Sequence, residues 1–299
     1  MGWSVCSGSS RTKDFKLKVL VTGATGFVGQ HVVRALLMQN HKVIIVTRQI
    51  ETAKKFEWFN KVEVIKCDLY KNSRPVIDLA TQIDCVVHLA WSDLPNYLSD
   101  VHITKNLTFN LIFLKKLINA GLKKIIVAGT CLEYGIKGGE LTENEDTNPT
   151  TAYGFAKDVI RKSIEFMRAE ENFYFIWVRL FYLYGPGQAK TSLYSQLNFA
   201  IDNSQSIFKM SPGDQIRDFQ SIESAAEIFA IAVEDRNFNG IINSCSGNPI
   251  SVMDFAKKIC DDRNSKIFLD NTAYPYSIYE PHAFWGKSDY LSRRKEILK

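Results

Sequence analysis

The sequence has no Cys-x-x-Cys pair, no cluster of histidines and no block of lysines or arginines. Its six cysteines, Cys6, Cys67, Cys85, Cys131, Cys245 and Cys260, lie far apart. A zinc site needs gathered Cys and His ligands, and none are gathered here. In a chain long enough to bury a proper core, scattered cysteines read as reduced thiols and hence as a cytoplasmic protein. Long apolar runs are missing as well. Stretches such as Lys124–Ala128 and Cys85–Leu89 fall far short of the ~20 residues that span a bilayer. The net charge is only +5 and is spread along the chain. That argues against a nucleic-acid or membrane surface and leaves small anionic ligands as suitable partners. There is no internal repeat. The Gly/Ser-rich opening, Met1–Thr12, lacks the apolar core of a secretory signal and is expected to be a floppy leader. Cys6 stands where N-myristoylation requires Ser or Thr.

What is present is an ordinary folded composition, 45% hydrophobic and 23% charged over 299 residues. That length allows one large α/β unit, or a large and a small lobe. Lys18–Thr22, Val43–Thr47, Val62–Asp68, Cys85–Ala90, Lys124–Ala128 and Phe173–Leu180 are short, β-rich and not alternating, as parallel strands buried on both faces should be. Helical segments fall between them at Phe27–Gln39, Ser73–Thr81, Asp100–Ala120 and Ala152–Glu170. In the third, Ile103, Leu107, Leu111, Leu114 and Ile118 recur at three- and four-residue steps. This alternation predicts an α/β fold with a doubly wound, Rossmann-type parallel sheet. After Tyr184 the rhythm breaks and Pro, Gly and Asn become frequent. The reading is therefore a leader over 1–14, a dinucleotide-binding domain over 15–184 and a smaller substrate lobe over 185–299.

The first strand runs into Thr22-Gly23-Ala24-Thr25-Gly26-Phe27-Val28-Gly29, followed at once by a helix. Glycines there let the backbone turn sharply against a pyrophosphate, whose charge rests on helical N–H groups. The strand–turn–helix context makes Gly23, Thr25, Gly26, Phe27, Val28 and Gly29 cofactor-binding candidates. The second strand ends in Thr47-Arg48-Gln49, with no carboxylate before Glu51. An acid there would hold a ribose 2′-OH, whereas a guanidinium pairs with a 2′-phosphate. Arg48 thus points to NADP(H), with NAD(H) left open if Arg48 stacks on adenine or faces solvent. Asp68, after the third strand, reads either as an adenine contact or as a turn cap.

Tyr153 and Lys157 stand one helical turn apart in Tyr153-Gly154-Phe155-Ala156-Lys157. A phenol is a poor acid or base at neutral pH unless a cation stabilises its phenolate, and an ammonium ~5–6 Å away does so. Alone the spacing means little. Its weight comes from following Thr130 and the fifth strand in a chain with a dinucleotide turn.

These motifs, with Ala128-Gly129-Thr130-Cys131-Leu132-Glu133-Tyr134-Gly135 and Arg179-Leu180-Phe181-Tyr182-Leu183-Tyr184-Gly185-Pro186-Gly187, resemble the extended short-chain dehydrogenases. More narrowly the chain resembles the NAD-dependent epimerase/dehydratase family that acts on nucleotide sugars. Gly213–Phe219 and Asn243–Gly247 extend the resemblance, which spans Lys18 to Trp285. It implies that Thr130 hydrogen-bonds the reacting substrate oxygen, that Tyr153 carries the proton and that Lys157 is its electrostatic partner and ribose clamp. It implies cofactor contacts at Leu69, Leu89 and Ala90, and substrate contacts at Trp91, Cys131, Leu132, Tyr182, Arg217 and Tyr276. Arg217 matches the arginine that pairs with the nucleotide diphosphate, against the alternative of an ion pair with Asp218 or Glu223. Asn106 reads as a support for the active-site loops or as a buried helix amide. A second diphosphate arginine, often found in the family around 274–285, is missing, leaving Tyr276 or Tyr279 for that role. A homodimer through the Asp100–Ala120 and Ala152–Glu170 helices is a further implication.

The family's reactions separate by what this chain lacks. A 4,6-dehydratase carries Asp-Glu directly after the Ser/Thr, because eliminating water needs an acid and a base. Here those positions hold Cys131 and Leu132, with Glu133 displaced by one. Enzymes like GDP-fucose synthase use a Cys and a His where this chain has Leu132 and Gly187. Reduction of a 4-keto sugar and 4-epimerisation need nothing beyond Thr130, Tyr153, Lys157 and the cofactor. A net reductase draws on a reduced pool, so Arg48 favours NADPH-dependent reduction of a nucleoside-diphosphate 4-keto-6-deoxy sugar, feeding surface-polysaccharide synthesis. An NAD-dependent 4-epimerase, a sugar dehydrogenase running the other way and a non-catalytic dinucleotide sensor are the alternatives.

Overall fold

The computed structural model describes residues 16–276 and 280–297. The expected leader and Tyr279 lie outside the described residues. Seven parallel strands form the central sheet: β1 (Lys18–Thr22), β2 (Lys42–Thr47), β3 (Glu63–Lys66), β4 (Cys85–His88), β5 (Lys124–Thr130), β6 (Tyr174–Leu180) and β7 (Gly240–Ser244), in spatial order β7-β6-β5-β4-β1-β2-β3. The order reverses between β1 and β4, which opens a crevice at the carboxyl ends of these strands. Helices cover both faces, so the sheet is a doubly wound Rossmann fold.

On one face, α1 (Phe27–Met38) packs Val32 and Leu36 with Phe229 and Val233 of α5 (Ile222–Glu234) over Val19, Val21 and Ile45. On the other, α2 (Thr108–Asn119) and α3 (Ala152–Glu170) set Phe113, Leu117, Ile160 and Ile164 against Leu20, Val86 and Ile125. Strands buried on both faces carry no polar alternation, which is why their β-branched runs are continuous. β3 differs. It is the edge strand, and its charged ends, Glu63 and Lys66, are exposed, a common way of blunting an edge.

The boundary expected at 184/185 does not follow the sheet. β7 and α5, both beyond residue 184, complete the central sheet and one of its covering layers. The smaller lobe is instead assembled from returning segments. Strands Tyr182–Tyr184, Ile216–Ser221 and Pro249–Ser251 form a small sheet, and α4 (Leu193–Asp202) packs on α6 (Val252–Asp262) around Leu197, Phe255 and Ile259. Helix α7 (Asp289–Ile297) closes the described chain, with Tyr290 in the main core.

Two expected helices are modified. The Ser73–Thr81 segment is helical only over Arg74–Ile77, with Pro75 in its first turn. The Asp100–Ala120 segment opens as a π-helix, His102–Leu107, before continuing as α2. No described helix is long and apolar enough to cross a membrane.

Candidate active site

At the end of β1 the chain turns at Gly23 with φ +69°. A Cβ there would come within 2.7 Å of the Ala90 amide nitrogen, and one on Gly29 would lie 2.1 Å from the Gly23 carbonyl oxygen. Only glycine allows the turn, the β4 loop and α1 to approach so closely. Gly26 caps α1 without a side-chain hydrogen bond, and the first turn holds no acid. Its N–H groups are therefore available to an anion. These residues fit the pyrophosphate of a dinucleotide.

Two cavities meet at this turn. The larger, about 700 Å³, is lined by Gly23, Gly26, Phe27, Val28, Gly29 and Leu89, and also by Thr130, Cys131, Leu132, Tyr153 and Tyr182. The smaller, about 260 Å³, is lined by Thr25, Arg48, Asp68, Leu69, Tyr70 and Ala90. Trp91 lines both. The Asp68 carboxylate accepts from the Tyr70 amide at 3.1 Å, so it caps the turn as well as facing the smaller cavity. Glu51 pairs with Lys54 at 2.7 Å on the surface and does not line either cavity.

Buried polar residues fix the loops around this crevice. The Thr22 hydroxyl accepts from the Leu89 and Ala90 amides, both at 3.2 Å, and donates to His88 Nδ1 at 2.8 Å. The other ring nitrogen donates to Asn110 Oδ1, and Asn110 donates to the Asn106 carbonyl at 2.6 Å. Burial holds His88 neutral, down to about 4, although its bond to Asn110 opposes this. Fully buried Asn106 accepts from the Tyr70 hydroxyl at 2.6 Å and the Ser92 hydroxyl at 2.7 Å. It therefore joins the walls of the smaller cavity to the β4 loop. Trp91 Nε1 donates to His102 Nδ1 at 3.1 Å, which leaves the opposite nitrogen to donate to the Asn96 carbonyl at 2.8 Å. His88, His102 and Asn110 have no motif to mark them. Only pairing between elements distant in sequence reveals them.

Tyr153 is buried among the rings of Trp91, Tyr97 and His102, with centroids 5.3–5.6 Å away. Its amide donates to the Tyr97 carbonyl at 3.0 Å. Burial raises the phenol well above its ordinary value, and nearby Tyr97, Glu133 and Cys131 add to the effect. No lowering by Lys157 accompanies this, although its ammonium lies 5.8 Å from the Tyr153 ring centroid. It donates to the Ala128 carbonyl at 2.8 Å and lies 3.8 Å from the Trp91 ring centroid. Burial lowers Lys157 to about 7, partly opposed by Glu133. Tyr153 consequently holds its proton at neutral pH, the form a ketone reduction consumes.

Thr130 caps the short turn Cys131–Tyr134, its hydroxyl accepting from the Leu132 amide at 3.3 Å. The same turn carries Glu133 away from the cavity. Its carboxylate accepts from the Thr130 amide (2.8 Å), Trp177 Nε1 (2.8 Å) and Arg179 Nε (2.7 Å), and is wholly buried. Tyr134 is structural too, its one hydroxyl proton shared between Asn243 Oδ1 and the Thr142 carbonyl oxygen, both at 2.8 Å. Cys131 lines the cavity, but burial pushes its thiol far up, out of the thiolate range.

Two expected substrate residues are not brought to the cavity lining. Tyr276 is exposed and donates to Asp214 at 2.7 Å, held there by a surface carboxylate. Arg217 is buried, paired with Glu280 at 3.0 Å and with neither Asp218 nor Glu223. Asp218 instead accepts from the amides of Ser246, Gly247 and Gly286. Glu280 lines the cavity in Arg217's place, together with Phe219, Phe255 and Tyr194. Tyr182 lies between, its phenol raised by burial and by the Glu280 carboxylate.

A family model described as the NAD dependent epimerase/dehydratase family matches residues 19–244. The dTDP-6-deoxy-L-talose 4-dehydrogenase (NAD(+)) of Aggregatibacter actinomycetemcomitans is 29% identical over 275 residues, covering 90% of this chain and 99% of that enzyme. The dTDP-4-dehydro-6-deoxyglucose reductase of Escherichia coli is 24% identical, covering 84% of this chain and 83% of that enzyme. Among solved structures, the UDP-glucose-4-epimerase of Stenotrophomonas maltophila with bound NAD superposes with a TM-score of 0.82. It covers 93% of this chain and 91% of its own, and at 17% identity the likeness is one of fold.

Proposed function

The chain belongs to the NAD-dependent epimerase/dehydratase family, and from that membership we propose that it reduces the 4-keto group of a nucleoside-diphosphate 4-keto-6-deoxy sugar, with NADPH as the reductant. One observation carries the reading. Glu133, the carboxylate next in sequence to the family's dehydratase positions Cys131 and Leu132, is locked away from the cavity by Arg179 and Trp177. Thr130 and a protonated Tyr153 remain as the proton-handling hydroxyls beside the glycine turn. Such a site suits hydride chemistry at an alcohol or ketone carbon, and Cys131 and Leu132 supply neither the acid nor the base that elimination requires at their positions.

The residues present divide the work. The glycine turn and the first turn of α1 would hold the pyrophosphate, and Arg48 the 2′-phosphate. Bound there, the cofactor supplies the hydride. Thr130 hydrogen-bonds the substrate carbonyl oxygen and polarises it. Tyr153 gives its phenolic proton to that oxygen as the alcohol forms, and the Lys157 cation compensates the phenolate left behind. Solvent then restores the phenol proton. We extend the reading to assembly: a second copy packs on the outer faces of α2 and α3, where Ile112, Phe155 and Phe166 are exposed.

The test is to incubate the protein with NADPH, then NADH, and a panel of dTDP-, CDP-, GDP- and UDP-4-keto-6-deoxy sugars. Consumption of reduced cofactor that depends on substrate, lost in Tyr153→Phe, is the expected result. Interconversion of 4-epimers without net consumption would overturn it. A second reading, NAD-dependent oxidation of the 4-hydroxyl, is favoured by the likeness to the talose 4-dehydrogenase. It predicts that NAD and the 4-hydroxy sugar react faster than the reverse pair.

A further inference from the structure

Glu280 belongs to no motif, yet it stands between the large cavity and the buried guanidinium of Arg217. Glu280 lines the cavity with Tyr182 and Phe219, and its Oε2 accepts from Arg217 Nη2 at 3.0 Å. Arg217 Nη1 is spent on the carbonyls of Ile216 (2.9 Å) and His282 (3.0 Å). The guanidinium carbon lies 5.0 Å from the Phe284 ring and 5.5 Å from that of Tyr182. Backbone carbonyls and rings thus fix the arginine on its inner sides. Its Nη2 is directed at Glu280, which lines the cavity while Arg217 does not. An anion entering the cavity meets a carboxylate first and the cation only behind it.

We propose that Glu280 is a specificity-determining residue: it neutralises Arg217 in the free protein, and a phosphate of the bound nucleotide must displace it from Nη2. The proposal rests on the reading that the substrate is a nucleoside-diphosphate sugar. A phosphate oxygen offers Nη2 the same charge-assisted acceptor as a carboxylate does, with more charge behind it. Both anions cannot occupy one desolvated edge, because like charges there repel strongly. The exchange therefore admits ligands that bring enough negative charge to replace the carboxylate. A nucleoside without phosphate leaves the pair intact and gains nothing from Arg217.

Removing the carboxylate has opposite effects on the free and bound states. A buried arginine stripped of its partner is an uncompensated charge that destabilises the free protein. An incoming diphosphate relieves that charge and no longer has to displace anything. Loss of Glu280 thus weakens the fold and tightens diphosphate binding. A carboxylate that contacted the ligand directly would do the reverse to binding.

The experiment is calorimetric titration of the full chain with dTDP, UDP, thymidine and uridine, accompanied by thermal melts. The proteins are wild type, Glu280→Gln and Glu280→Asp, the last keeping the charge but withdrawing it by one methylene. Expected are about tenfold tighter binding of the diphosphates by Glu280→Gln, unchanged nucleoside binding, and an intermediate gain for Glu280→Asp. The free Glu280→Gln protein should melt lower and gain more from dTDP than wild type does. Should Glu280→Gln fail to fold, the gain in Glu280→Asp decides. Diphosphate binding that is unchanged or weaker in the variants overturns this proposal alone. Failure of every form to bind any nucleoside diphosphate overturns the substrate reading, and this proposal with it.

Discussion

The ammonium of Lys157 lies 3.8 Å from the centroid of the Trp91 ring and 5.8 Å from that of Tyr153. The indole is held in that place by its bond to His102. A lysine buried this deeply loses charge through desolvation, and the electron-rich ring face offsets part of the loss. The groups facing it are the Ala128 carbonyl, the Tyr153 ring, the buried Glu133 charge and neutral His88. Trp91 therefore adds to Glu133 and the Ala128 carbonyl in keeping Lys157 cationic.

The pH profile should show this. Lys157 is cationic below its value of about 7 and neutral above it, so kcat/KM, which reports the free enzyme, should decline as pH rises through that value. A desolvated cation–π contact is worth about 1–2 kcal/mol, roughly one pKa unit. In Trp91→Leu the decline should begin about one unit lower. A profile superimposable on wild type would show that the ring does not tune the lysine.

Arg48 should govern the choice of cofactor. It lines the smaller cavity beside Tyr70, with Glu51 drawn off to Lys54. Hydrogen bonds to a charged group contribute about 1.5–3 kcal/mol, so Arg48→Ala should lower kcat/KM for NADPH by roughly 10- to 100-fold. The value for NADH should change little. Equal losses with both cofactors would place the guanidinium on the adenine or the pyrophosphate instead.

Glu133 should prove structural. Glu133→Gln keeps an acceptor for the Thr130 amide and Trp177 but strands the Arg179 cation, whose guanidinium is otherwise buried. Breaking such a pair costs about 3–5 kcal/mol. Denaturant unfolding should show that loss, while turnover of the folded variant stays within a few-fold of wild type. A folded Glu133→Gln protein without turnover would make the carboxylate a participant in the chemistry.

The parts of this molecule legible in the sequence are those where one local pattern has one physical solution. Continuous β-branched runs mark β1, β2, β4, β5 and β6, because both faces of a parallel strand are buried. The glycine turn is equally plain, since a Cβ at Gly29 collides with the Gly23 carbonyl. β7 is not legible: Gly-Ile-Ile-Asn-Ser carries two apolar side chains in a polar region, and its place is set by register against β6 and by α5 packed above. For Glu133 an extended segment would also point it away from the substrate. The actual cause is the tight turn after Thr130, with the Glu133 carboxylate bonded back to the Thr130 amide. Glu280 was hidden for a different reason. It meets Arg217 across 63 residues, and no periodicity or motif spans that interval.

The exposed faces of α2 and α3 supply the last test. Phe166 is 79% exposed, Ile112 50% and Phe155 44%. Apolar side chains of this size gathered on two neighbouring helices are an expensive surface to leave in water, and a two-fold partner presenting the same face would cover them. The wild-type protein is therefore expected to sediment as a dimer at micromolar concentration. Phe166→Asp places a charge where a partner's apolar face would lie. Central aromatic anchors of interfaces are worth about 2 kcal/mol or more, so the dissociation constant should rise at least roughly 30-fold. Because Phe166 makes little contact within its own chain, the far-ultraviolet dichroism and the melting of the monomer should be unaffected. A wild-type protein that remains monomeric at high concentration would overturn the assembly proposal while leaving the site chemistry, built entirely within one chain, untouched.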